Sequence, residues 1–242
     1  DDQLAMMFAC WHPLLSKEQQ VILTLRILAG FGKREIAYAL LKKEETIAKA
    51  LQRAKQKLRD AQVQMQVPDA TELPARLEVV LKIIYLLFNE GYKASDGDLL
   101  LKKDLCLEAI RLNALLLEHS QTQHSDAEAL QSLMYYQAAR LDARQSMEGH
   151  LLTLEEQDRS KWDQEMITKG AAHFTQAHEA TSHSEYFVQA AMAGLHSRTK
   201  RYEETDWKAL VELYDALLLL KPSPLVFINS TVPYSKVYGP EA

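Results

Sequence analysis

Residues 16–60 read SKEQQVILTLRILAGFGKREIAYALLKKEETIAKALQRAKQKLRD, and their punctuation predicts three short helices in succession. Ser16 followed by Gln19 has the form of a capping box, in which the hydroxyl and the amide each satisfy one backbone N–H of the first turn. Val21, Ile22, Leu25, Leu28 and Ala29 then recur at helical spacing, and Gly30 stands where that helix should stop. Lys33 to Leu41 predicts a second helix with Ile36, Ala37 and Leu40 on one face. Lys42 to Glu45 is polar and short enough for a tight turn. From Thr46 to about Gln64 a third helix carries Ile47, Leu51, Ala54, Leu58 and Ala61 as one narrow apolar stripe.

This spacing fits a helix-turn-helix, whose second helix enters the major groove of DNA and projects side chains at base edges. At 100° per residue, a stripe that faces a core turns Glu45, Lys49, Gln52, Arg53 and Gln56 outward. Arg is suited to guanine and Gln to adenine, and Glu can accept from a cytosine amino group. Lys33, Arg34, Lys42, Lys43, Lys55, Lys57 and Arg59 surround them as phosphate partners. The plainer reading of the same pattern is a basic, solvated helix in an ordinary bundle.

Working outward, the chain of 242 residues carries a net charge of -5, unevenly spread. Residues 1–66 hold 11 Lys and Arg against 7 Asp and Glu, leaving the head at +4 and the remainder at -9. A basic head on an acidic body fits a polyanion partner for the head alone. The stretch 67–75, with Pro68 and Pro74 and no helical stripe, reads as a linker. Beyond it helices are predicted over about 75–89, 98–118, 126–145, 158–180, 184–198 and 204–220. They have short connections and no convincing strand, as in antiparallel pairs stacked into a short solenoid. Eight Gly and seven Pro are few for this length, which also favours helix. No apolar run spans a membrane and no signal-peptide pattern opens the chain, so the cytoplasm is expected. Cys10 and Cys106 form no CxxC pair, which agrees with a reducing compartment.

In order and distance, Glu18 to Arg26, Lys33-Arg34-Glu35-Ile36-Ala37, Glu45-Thr46-Ile47 and Leu51-Gln52-Arg53-Ala54-Lys55 resemble region four of extracytoplasmic-function (ECF) sigma factors. The resemblance, over about residues 12–62, implies binding to the promoter −35 element and to the β flap of RNA polymerase. By position it places Thr46 and Lys49 at the start of the recognition helix and Gln52 and Arg53 one turn later. One departure is Glu44-Glu45, where many members carry Gly or Ser. Residues 84–92, 104–112, 156–163, Asp206-Trp207 and Leu213-Tyr214-Asp215 resemble the C-terminal extension of one ECF subgroup, a TPR-like helical domain thought to regulate activity. That subgroup implies a regulatory partner of the small DGPF/YCII-like type. The family's region two, which melts the −10 element, has no counterpart here. The chain also begins without Met, so it is expected to account for −35 binding and not for strand opening.

The resulting expectation is an all-α protein: a helix-turn-helix domain of three or four helices over 1–66, a linker over 67–75, and a TPR-like domain of antiparallel helical pairs over 76–242. No cofactor, metal site or catalytic group is expected. His173, His178 and His183 are spaced by five and cannot share a helix face. Cys10-Trp11-His12 has no second ligand pair, and a buried thiol fits Cys10 better. Asn89, Glu90, Asp104, Glu108 and Arg111 read as hydrogen-bonded links between helices rather than a catalytic cluster. No P-loop, GxGxxG or GxSxG occurs. Two further readings stay open: a repressor-type regulator whose C-terminal domain binds a small ligand in an apolar cavity, and a helical scaffold that binds only protein.

Overall fold

The computed structural model describes residues 2–92, 99–146, 148–179 and 184–239, and it is all-α. Among these residues there are eleven α-helices, no strand, and one isolated bridge between Gln145 and Leu151. The chain divides into two compact units, Asp1–Gln123 and His124–Ala242.

The first unit opens with α1 (Asp2–Cys10), which the head's punctuation did not announce. Its signal is Leu4, Met7, Phe8 and Trp11 at spacings of three, one and three, all buried. Helix α2 (Lys17–Ile27) starts as expected, with both halves of the Ser16–Gln19 capping box formed. Gly30 takes φ +75, a left-handed turn that returns the Phe31 N–H to the Leu25 carbonyl at 2.9 Å. Helix α3 is Lys33–Ala39, and α4 is Glu44–Asp60, beginning two residues earlier and ending four earlier than its stripe suggested. Between them Leu41 has φ 51 and is 72% exposed.

Trp11 closes the core of this unit: its Nε1 donates to Thr24 Oγ1 at 2.9 Å, and Thr24 Oγ1 donates to the Gln20 carbonyl at 2.7 Å. The Gln20 Nε2 donates in turn to the carbonyls of Trp11 and His12. All three side chains are buried, and the loop of bonds satisfies them.

The compact unit continues past the segment read as a linker. Helices α5 (Leu73–Tyr92) and α6 (Leu99–Glu118) pack along one another, α5 touches α2, and α6 touches α3. Arg76 donates to the Phe8 carbonyl at 2.8 Å and Arg111 to the Leu28 carbonyl at 3.3 Å, so both arginines tie this pair to the head. Glu108 pairs with Arg111 along α6, and this partner holds the guanidinium pKa above its usual value. The polar set within α5 and α6 thus includes one such link between helices.

In the second unit, α7 (Ser125–Ala138) packs on α8 (Gln164–His178) and α9 (Glu185–Ser197), α9 on α10 (Trp207–Leu220), and α10 on α11 (Pro224–Tyr238). The expected helix over 126–145 stops at Ala138 and gives way to a 3-10 turn at Leu141–Ala143. The one expected over 158–180 starts at Gln164, because Asp158 and Asp163 each cap a separate element. Helix α11 was not expected. Of its prolines, Pro224 occupies the first turn, where its missing N–H costs nothing, and only Pro233 lies inside. Tyr136 sits against Gly170 of α8 and Gly194 of α9. A Cβ would come within 3.1 Å of its ring at the first and 3.3 Å at the second. His173 pairs with buried Glu128 at 2.6 Å and stacks on Tyr135, and His178 stacks on Phe187. His183 lies outside the described residues.

Candidate nucleic-acid interface

Helix α4 buries Ile47, Leu51 and Ala54 against α2 and α3, and Leu58 is half-buried. This fixes the rotation of the helix about its axis, and the outward face follows: Glu45, Thr46, Lys49, Gln52, Arg53 and Gln56 are all exposed. Glu44 and Glu45 stand in the first turn and Lys57 and Arg59 in the last, a charge order that suits the helix dipole.

The exposed side chains are not equally available. Lys49 pairs with Glu45 at 2.6 Å, and Gln56 donates to Asp60 at 2.6 Å. Thr46, Gln52 and Arg53 make no side-chain hydrogen bond or ion pair among the described residues. Both pairings follow from i,i+4 spacing, a signal present in the sequence that the outward-face argument did not use.

The seven phosphate candidates are also sorted. Lys33 and Arg34 are exposed in the first turn of α3 and Lys43 is exposed just ahead of α4; none has a side-chain partner among the described residues. Lys42 is paired with Glu18 at 2.8 Å and Lys57 donates to Gln19 at 3.3 Å, so α2 holds both. Lys55 projects from a different flank of α4. With Arg59 it lines a cavity of about 740 Å³ whose other walls include Met6, Leu23, Ile27 and Met65. Cys10 also touches this cavity, but it is buried, and burial pushes its thiol up to about 12.

The second unit contains a cavity of about 450 Å³ bounded by residues 153–155, the end of α9, a 3-10 turn at Tyr202–Glu204, α10 and α11. His196, Tyr202, Trp207 and Tyr214 present rings to it. The His196 pKa is lowered to about 4 by burial, helped by the charges of Arg140 and Arg159. Trp207 and Tyr214 fall in stretches quoted above for their resemblance, whereas nothing local marked His196 or Tyr202, and the four come from three separate elements.

Residues 76–178 match a family of unknown function (DUF6596). Over its full 242 residues the chain is 41% identical to an uncharacterized protein of Rhizobium meliloti (strain 1021), and it spans 57% of that protein's length. No solved structure matches the chain.

Proposed function

We propose that the chain is the region-four-bearing part of an ECF-type sigma factor, which recognises a promoter −35 element and helps to hold RNA polymerase core there. The observation that carries this reading is α4. It is locked by Ile47, Leu51 and Ala54 with Gln52 and Arg53 outward and unpartnered, and exposed Lys33, Arg34 and Lys43 precede it. Gln52 and Arg53 then read base edges, and the paired Glu45–Lys49 and Gln56–Asp60 steer them. The cavity flanked by Lys55 and Arg59 is apolar within and basic at its edge, which suits the polymerase flap. Residues after 76 act as a regulatory, protein-binding part for a small DGPF/YCII-like partner. No catalysis is assigned, and the cytoplasm is the compartment in which promoter DNA is met.

The test is binding to a duplex bearing candidate −35 sequences across a salt series. Arg53→Ala is expected to lose about 1–3 kcal/mol on the preferred sequence and much less on others. Lys33→Gln should weaken all sequences alike and reduce the salt slope by about one. Binding that ignores both sequence and Arg53 would sink the assignment and favour a protein-only scaffold.

A separate measurement addresses the polymerase contact. Met65 is 71% exposed, so Met65→Glu should fold normally while weakening capture of the isolated β flap by about tenfold, through charge placed in an apolar contact. Unchanged capture would remove the cavity from that role. The aromatic-lined cavity of the second unit favours a second reading, a ligand-responsive regulator, which requires a twofold dimer on a palindromic site.

A further inference from the structure

The cavity in the second unit has a lining with an unusual balance of charge and rings. Tyr202, Trp207 and Tyr214 are each half-buried, so part of every ring remains open. Among the lining residues Glu155 alone is charged at neutral pH, since His196 is held neutral. Glu155 is exposed and makes no hydrogen bond or ion pair among the described residues. His196 Nδ1 is buried there without a hydrogen-bond partner. Open ring faces beside an uncommitted carboxylate form the arrangement that holds ammonium groups, because the ring quadrupole attracts a cation that the carboxylate neutralises.

The chain supplies its own demonstration. Lys236 Nζ, from α11, stands 5.2 Å from the Tyr202 ring centre and 5.8 Å from that of Trp207, with no carboxylate partner among the described residues. Two of the three rings therefore already carry an ammonium. Arg159 also lies over Tyr202, at 5.9 Å, but it is buried and fixed by its bonds to the His196 and Thr199 carbonyls. It does not line the cavity, but its charge opposes a second cation, which makes the Glu155 charge necessary. Lys236 is exposed on a flexible stem and can swing away.

We propose that this cavity binds a small alkylammonium cation, with Trp207, Tyr202 and Tyr214 as its ring walls and Glu155 as its counter-charge, and that Lys236 competes for the same rings. The volume of about 450 Å³ falls within the range of small-ligand sites. The assignment does not depend on how the first unit meets DNA.

Calorimetric titration of the intact chain with choline and with its uncharged isostere 3,3-dimethylbutan-1-ol tests it. Choline is expected to bind at least about fivefold more tightly than the isostere. Lys236→Ala should strengthen choline binding about threefold by removing the internal competitor, and Glu155→Gln should weaken it about three- to fivefold. Both residues are exposed, so neither variant is expected to disturb folding. Equal affinity for choline and the isostere would overturn the proposal. So would weaker or unchanged binding in Lys236→Ala, or no binding of choline by either protein.

Discussion

Trp11→Ala is expected to remove about 3–5 kcal/mol from the first unit, a large part of the total that holds a domain of this size together. Trp11 is fully buried, and its loss opens a void in the core of a unit whose Phe8, Ile22 and Leu25 are equally enclosed. It also leaves Thr24 Oγ1 without the donor 2.9 Å away, at a position that water does not reach. Trp11→Phe separates the two effects, since it keeps most of the volume and loses only the hydrogen bond, for about 1 kcal/mol. Hydrogen exchange at the Ile22 and Leu25 amides reads this unit without interference from the other. A loss below about 1 kcal/mol in Trp11→Ala would mean that the core does not depend on this closure.

The second large effect is a loss of stability in acid, arising in the second unit. In an unfolded chain His196 titrates near its ordinary value of 6.5, whereas in the fold it is pushed down to about 4, first by burial and then by Arg140 and Arg159. Between those values the unfolded chain takes up a proton that the folded one refuses. Stability is therefore lost as pH falls from 7 through 4, by about 2 kcal/mol at pH 5 and about 3 kcal/mol at pH 4, and the loss levels off below that. Urea unfolding at pH 7 and pH 5 should show this difference in the parent and a smaller one in His196→Gln. Equal slopes in the two proteins would assign the acid sensitivity elsewhere.

The two residues differ in how far the sequence announced them. Trp11 sits at the end of an apolar spacing of three and four that is legible from Leu4 onward, although no capping residue marks where α1 begins. The recognition-type face of α4 was readable because Ile47, Leu51 and Ala54 repeat at a period that only a helix satisfies. Which of its polar residues are free was readable in part, since Glu45–Lys49 and Gln56–Asp60 obey a local rule. His196, Tyr202, Trp207 and Lys236 obey none. They meet because α9, α10 and α11 pack in sequence, and their pairing exists only in three dimensions. Helix α11 itself was hidden by composition, as Pro222, Pro224 and Pro233 outweigh its apolar run in any local reading. The contact of Tyr136 with Gly170 and Gly194 is equally invisible, because those glycines lie 34 and 58 residues away along the chain.

Neither cysteine of the chain, Cys10 or Cys106, is in a disulfide, and both are buried and located in the first unit. An alkylating reagent attacks thiolate, and a thiol raised to about 12 at Cys10 offers almost none while the fold is closed. The chain thus carries a chemical clock: label accumulates only when the first unit opens, and the second unit, having no thiol, stays silent. Mass gained over time would give the opening rate of one half of the molecule in the presence of the other, with no engineered probe.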